Sequence, residues 1–241
     1  MKFDVYGYSD KGGRSHNEDA SGYAAGGDSG IFVVADGLGG HAYGELASEC
    51  VKETLLGSWS PDTADRKAWL ADAIETANKR IMELADAKQT ILKSTVVALA
   101  VDGTKAVWAH SGDSRLYMFH DGELAAYTDD HSVAYKKYKA GEISREDIAT
   151  DEDQSSLLRA LGGGTHYEPV ITECGRELEA GDAFILCSDG AWEYIKDEEM
   201  QADLLDSTTA EEWGEAMLQR ILSRVKGKND NLTLVAVSIK P

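Results

Sequence analysis

Apolar and polar residues alternate from the start of the chain. Phe3, Val5 and Gly7 lie between polar neighbours in residues 2–8, the period of a half-buried strand. Two glycines break the pattern in DKGGRSHNEDA, a polar loop that carries Arg14, Glu18 and Asp19. A short strand is expected over residues 21–25. Ile31 to Val34 is a continuous apolar run, which suits a buried strand, and Asp36 stands where it ends. The period then changes to 3.6. Leu46, Ala47, Cys50, Val51 and Leu55 share one face of a helix over residues 45–56, and Leu70, Ala73, Ile74, Ala77, Ile81 and Leu84 stripe a longer helix over 64–87.

Strands follow at 95–101, 105–110, 116–120 and 123–127. Asp102-Gly103 and Asp121-Gly122 supply hairpin turns, so an antiparallel meander is expected. Residues 131–156 have the weakest pattern; they read as an exposed, mobile flap with short helices near 133–139 and 145–148. Further strands are expected at 169–173 and 183–187, then a helix over 211–225 with Trp213, Met217, Ile221 and Val225 inward, and a last strand at 232–239. Thr208 and Glu211 fit a capping box at that helix's start. Clustered strands with helix pairs between them make the fold class α+β, helices covering sheets that pack on each other.

Composition changes the picture in three ways. No linker divides the 241 residues, so one domain over residues 1–241 is expected, with the flap as a subdomain. A formal charge of −19 argues against nucleic acid or an anionic membrane as a main partner. Cys50, Cys174 and Cys187 form no CxxC, there is no signal-peptide pattern at the N-terminus and no apolar run approaches ~18 residues. A cytoplasmic protein with reduced cysteines is the expectation.

Acids recur at one kind of place. Glu18, Asp19, Asp36, Asp113, Asp189 and Asp230 each lie in a polar loop beside a predicted strand. Singly, each reads as a turn residue. Together they allow a shared metal site, because converging carboxylates need pairing or a cation. Hard oxygen donors without a Cys/His cluster favour Mg²⁺ or Mn²⁺ over Zn²⁺. Two such ions can acidify a bridging water and clamp the oxygens of a phosphoryl group. Arg14 could hold that phosphate; otherwise it is an ordinary surface arginine.

The ordered set Arg14-x-x-x-Glu18-Asp19, Asp36-Gly37-x-Gly39-Gly40, Ser111-Gly112-Asp113-Ser114-Arg115, Ser188-Asp189-Gly190 and Asp230-Asn231 resembles the metal-dependent PPM-type (type 2C) serine/threonine protein phosphatases. The GGHxxGE continuation and the LLRALGG segment look like the bacterial branch, and the likeness runs over about residues 5–239. The resemblance implies a four-layer α-β-β-α sandwich, two antiparallel sheets flanked by helix pairs. It implies two Mn²⁺ or Mg²⁺ ions per subunit and a weaker third. By motif, Asp36 would bridge both metals, Asp189 and Asp230 would complete one, and Glu18 with the Gly37 carbonyl would serve the other. Asp19 would orient metal-bound water, Asp113 with Asp189 would hold the third metal, and Arg14 would bind substrate phosphate. The implied reaction is direct attack of metal-activated water on phosphoserine or phosphothreonine, with no phosphoenzyme. Implied partners are phosphoproteins and an opposing bacterial Ser/Thr kinase, and a monomer suffices.

Two departures stand out. Many eukaryotic members carry a histidine, cast as general acid, where this chain has Leu38. His41 and His131 are the nearby histidines, and packing or turn roles are favoured for both. In the flap, DEDQSS (151–156) replaces a more basic, proline-containing segment, so repulsion of acidic phosphopeptides is expected. The alternatives are a catalytically weak phosphoprotein-binding regulatory module, whose mark would be a lost ligand, and a hydrolase of a small phosphorylated molecule.

Overall fold

The computed structural model describes residues 1–38, 43–164 and 167–241. Its elements in chain order are β1 (Lys2–Asp10), β2 (Asp19–Gly26), β3 (Ser29–Leu38), α1 (Gly44–Ser58), α2 (Arg66–Lys88), β4 (Lys93–Ser94), β5 (Val96–Asp102), β6 (Lys105–Ser111), β7 (Arg115–His120), β8 (Glu123–Tyr127), α3 (Val133–Lys139), β9 (Val170–Glu173), β10 (Ala183–Cys187), α4 (Asp189–Trp192), α5 (Asp197–Leu205), α6 (Ala210–Arg224) and β11 (Leu232–Lys240). A 3₁₀ turn, Glu146–Thr150, follows α3.

Two antiparallel sheets result, ordered β1-β11-β10-β7-β8 and β2-β3-β5-β6-β9, with β4 paired to the end of β3. The period-2 alternation assigns each strand's faces. Along β3, Ile31, Val33 and Ala35 pack with Val51, Leu70 and Ile74 of α1 and α2. Phe32 and Val34 point the other way and meet Phe184, Leu186 and Val235 of the second sheet. That sheet's outer face, through Ile185, Leu234 and Ala236, packs on Met200 of α5 and Trp213 and Met217 of α6. The four layers are therefore α1/α2, sheet, sheet, α5/α6, as the α+β reading and the resemblance imply.

The structure corrects three details. The expected meander is split: β5–β6 and β7–β8 are hairpins in different sheets, and residues 111–114 carry the chain from one to the other. Gly112 makes that crossing at φ 109°, and a Cβ there would lie 2.6 Å from Thr95 Cγ2, so only glycine suits the position. The α6 cap is one residue later than predicted. Thr209 Oγ1 accepts from the Glu212 N–H, while the Glu212 carboxylate takes the Thr208 N–H and hydroxyl. Finally, α5 has no sequence signal, because only Met200 and Asp203 of its nine residues are buried and no apolar stripe forms.

Two carboxylates fasten α5 to α6: Asp203 takes the Arg220 guanidinium, and Glu199 takes that of Arg224. Glu199 accepts from both terminal nitrogens of Arg224 and from the Lys196 N–H that starts α5. The Arg224 bonds, ahead of every other influence, lower its pKa from an ordinary 4.5 to about 2. An acid held below its unfolded value stabilises the fold above pH ~4.5, and that stability is lost as pH falls through about 2. Arg224 is well exposed, so solvent screening reduces the benefit to about 1 kcal/mol. Glu199→Gln is expected to lower unfolding stability by that amount at pH 7 and by almost nothing near pH 2, as read by urea denaturation at both values.

Candidate metal centre

The site is built where the two sheets end together. In the β2–β3 ladder Asp19 stands directly opposite Asp36. Asp36 continues the parity of Phe32 and Val34, so it projects toward the space between the sheets. Gly37 takes the opposite face. A Cβ there would sit 2.1 Å from the Gly44 carbonyl oxygen and 2.6 Å from that of Glu18, so the start of α1 and the Glu18 backbone approach this closely only because the residue is glycine. The Asp36 backbone is fixed on three sides. Its N–H donates to Thr95 Oγ1 at 2.9 Å, and its carbonyl accepts from the Thr95 N–H and the Ser94 hydroxyl.

The facing sheet supplies the rest. Asp189 stands two residues past the end of β10, after Ser188, and opens the short helix α4, rather than simply ending a strand as predicted. Ser188 Oγ donates to Asp19 Oδ2 at 2.8 Å, a bond that ties one sheet to the other. Asp230 lies in the loop before β11, and Arg14 Nη2 rests on its Oδ2 at 2.5 Å. Asn231 organises the first loop: its Oδ1 accepts from the Glu18 N–H, and its Nδ2 donates to the carbonyls of Lys11 and His16. Glu18 is anchored again by Gly44, whose N–H donates to Oε1 at 3.1 Å. Asp113 is buried in the sheet-crossing turn, where its carbonyl accepts from Trp192 Nε1. Beside it, Arg115 makes a two-pronged bond to Asp130 and stacks on the Trp192 ring.

The electrostatics follow from this crowding. Burial first, then the charges of Asp189 and Asp230, push the Asp19 carboxyl up to about 7. Burial and Asp230 push Asp189 up to about 6. Asp36 is raised well above the carboxylate range by burial and by Asp19, Asp189, Asp113 and Asp230, and Asp113 is raised well above it by burial, Asp189 and Asp130. Glu193, one turn after Asp189 and absent from the sequence-predicted set, is driven to about 8 by burial and the same neighbours.

These residues fit a hard cation. Asp19 Oδ1 and Asp189 Oδ1 are buried and accept no hydrogen bond. The donors are all oxygen, the chemistry of Mg²⁺ and Mn²⁺. Among the described residues no three acids close onto a single point as a finished cage would.

Other predicted residues fall into place. His131 turns inward: its Nδ1 accepts from the Gly112 N–H and its ring stacks on His110 at 4.7 Å. Burial, then His110, lowers its pKa to about 3, so it holds the turn, as favoured from sequence. Gly39, Gly40 and His41 lie outside the described residues. The flap departs from expectation in charge. Lys137 Nζ bonds Asp151 and Asp153, both at 2.8 Å, so two of the three acids of DEDQSS are already paired. Gln154, which nothing in the sequence singled out, is buried and reaches Asp189 Oδ2 at 3.5 Å.

The protein phosphatase 2C family model matches residues 6–232. The chain belongs to that family. It is 32% identical to the serine/threonine phosphatase stp of Listeria monocytogenes over 93% of its length and 90% of the relative's. It is 33% identical to the serine/threonine protein phosphatase PstP of Mycobacterium tuberculosis over 94% of its length and 43% of that protein. The crystal structure of Mycobacterium tuberculosis PstP/Ppp superposes with a TM-score of 0.88 at 31% identity, covering all of both chains. The PstP catalytic domain in complex with two manganese ions gives 0.84 at 30% identity over 99% of each chain. The chain is accordingly a metal-dependent protein phosphatase, and the sandwich found here is the family's.

Removing one charge from the crowded acids should relieve the metal-free protein. Asp19→Asn and Asp36→Asn are each expected to raise its melting temperature by several degrees at pH 8. The further rise that saturating Mn²⁺ gives the parent should shrink or vanish in both, as read by scanning calorimetry with and without the ion.

Proposed function

We propose that this chain hydrolyses phosphoserine and phosphothreonine in proteins, using divalent cations held by the acids between its two sheets. The observation that carries the reading is the gathering of five aspartates from five separate stretches of the sequence: Asp19, Asp36, Asp113 and Asp189 are buried near one another with Asp230 beside them, and burial and the neighbouring charges push all four of the buried carboxyls up. In this reading two ions would be held by Asp36, which would serve both, with Asp189 and Asp230 for one and Glu18 and the Gly37 carbonyl for the other. Asp113 and Asp189 would hold a third, weaker ion. What such ions supply when bound is Lewis acidity toward phosphoryl oxygens and an acidified water. Manganese is the first candidate, after the PstP complex, with magnesium the alternative.

The chain's own residues do the remainder. Arg14, exposed at the mouth, exchanges Asp230 for the substrate phosphate and orients it by charge-assisted hydrogen bonds. Asp19, fixed by Ser188, accepts a hydrogen bond from water on the attacking side. Leu38 donates no proton to the leaving alkoxide. No acid of the motif set is missing, which weighs against a regulatory binding module. A single chain over residues 1–241, with residues 131–156 as the flap, supplies every group, so the monomer is competent. A cytoplasmic setting opposite a Ser/Thr kinase accords with three free cysteines and, among the described residues, with no helix long and apolar enough to cross a membrane.

Assays of p-nitrophenyl phosphate and a phosphothreonine peptide, with Mn²⁺ and with EDTA, test this directly. Both substrates should turn over only with metal, and Asp36→Asn should cost more than about 100-fold while remaining folded. Turnover of the small ester alone would point to a small-molecule hydrolase. Near-normal activity of folded Asp36→Asn would overturn the assignment.

A further inference from the structure

Next to the acids lies a region of opposite character. A cavity of about 430 Å³ opens beside the end of β3, lined by Leu38, Lys93, Leu157, Leu158, Arg159 and Ala160 among others, and no carboxylate is among its described lining residues. In a chain with a formal charge of −19, a cavity with two cations and no acid stands out. Among the described residues, neither cation has an acidic partner. Arg159 makes one bond, to the Glu168 carbonyl at 3.3 Å. This contrasts with Lys137 in the flap, which is taken up by Asp151 and Asp153.

The cavity is held in register with the site. Leu38 lies two residues beyond Asp36 on the same strand, hence on the same face and about 7 Å away. Leu38 pairs with Lys93 across β3–β4. The next residue, Ser94, donates its hydroxyl to the Asp36 carbonyl and exchanges both backbone bonds with Leu161, at 3.1 and 2.8 Å. Leu161 is two residues past Arg159, so the cationic wall and Asp36 are joined through one short strand. An extended peptide also advances about 7 Å in two residues. A side chain two to four positions from a phosphorylated residue at Asp36 would reach this cavity.

We propose that the cavity is a specificity subsite for the substrate chain. It takes the carboxylate of an aspartate or glutamate two to four positions from the phosphorylated residue, with Lys93 and Arg159 on the charge and Leu38, Leu157 and Leu158 against the aliphatic stem. The subsite rests on the phosphoprotein reading above. It reverses the preference expected from DEDQSS, whose acids are mostly paired within the flap.

The test uses phosphothreonine peptides identical except for Glu, Gln or Lys at the positions two to four residues from the phosphothreonine, assayed with Mn²⁺ at low and high salt. At low salt kcat/KM should favour the Glu peptide over the Lys peptide by roughly three- to tenfold, mainly through KM, and added salt should compress the ratio. In Lys93→Gln/Arg159→Gln the ratio should fall toward one, and in Lys93→Glu/Arg159→Glu it should invert. Because the ratio is internal to each variant, a general loss of activity does not mimic the effect. Equal turnover of all three peptides by the parent would overturn the subsite and leave the phosphatase reading intact. Turnover of p-nitrophenyl phosphate with no peptide cleaved would instead sink the phosphoprotein reading. In a fourth peptide with a second phosphothreonine at those positions, faster turnover than the Glu peptide, with Glu no better than Gln, would overturn the carboxylate assignment in favour of a phosphate site.

Discussion

Two aspartates face each other across a pair of antiparallel strands. Directly opposed like charges weaken a sheet, yet Asp19 and Asp36 occupy matching positions of β2 and β3, with Asp189 and Asp113 pressing from the other side. Burial removes the water that would screen them. Folding alone leaves two conditions for these carboxyls: protons retained well above their ordinary range, or a cation of high charge among them. The second suits an enzyme that must place positive charge against a phosphoryl group.

The surrounding structure keeps the acids in place despite that repulsion. Asp36 is bonded through its backbone to Ser94 and Thr95, so its position does not depend on its charge. Ser188 and Asn231 then span the gap between segments far apart in sequence, Ser188 to Asp19 and Asn231 to the loop that carries Arg14 and Glu18. Each sheet is backed by a helix pair and faces the other through a dry interface of Phe32, Leu99, Phe184 and Val237. The rigid sandwich supplies the mechanical support, and the acids concentrate at the end where its loops meet.

Most of the fold was legible because its signals are local. Period-2 and period-3.6 patterns located nearly all the strands and the helices α1, α2 and α6, and DG turns marked two hairpins. The partition of those hairpins between sheets was not legible, because the Ser111–Ser114 crossing looks like any short turn until Gly112 is seen against Thr95. Helix α5 escaped for want of an apolar stripe. In the site, the acids could be read from their shared setting beside strand ends. The groups that hold them could not: Thr95, Ser188 and Gln154 are ordinary polar residues whose partners lie 35 to 169 positions away. Charge in the flap misled for a related reason, since the sequence shows Asp151 and Asp153 but not the Lys137 that bonds both.

The central claim is that the crowded acids are completed by divalent cations centred on Asp36. Anomalous diffraction at the manganese edge, from crystals grown with Mn²⁺, tests it most directly. The account predicts strong peaks on both sides of the Asp36 carboxylate, within reach of Asp189 and Asp230 on one side and Glu18 on the other. Fully occupied Mn²⁺ elsewhere, with none beside Asp36, would contradict it.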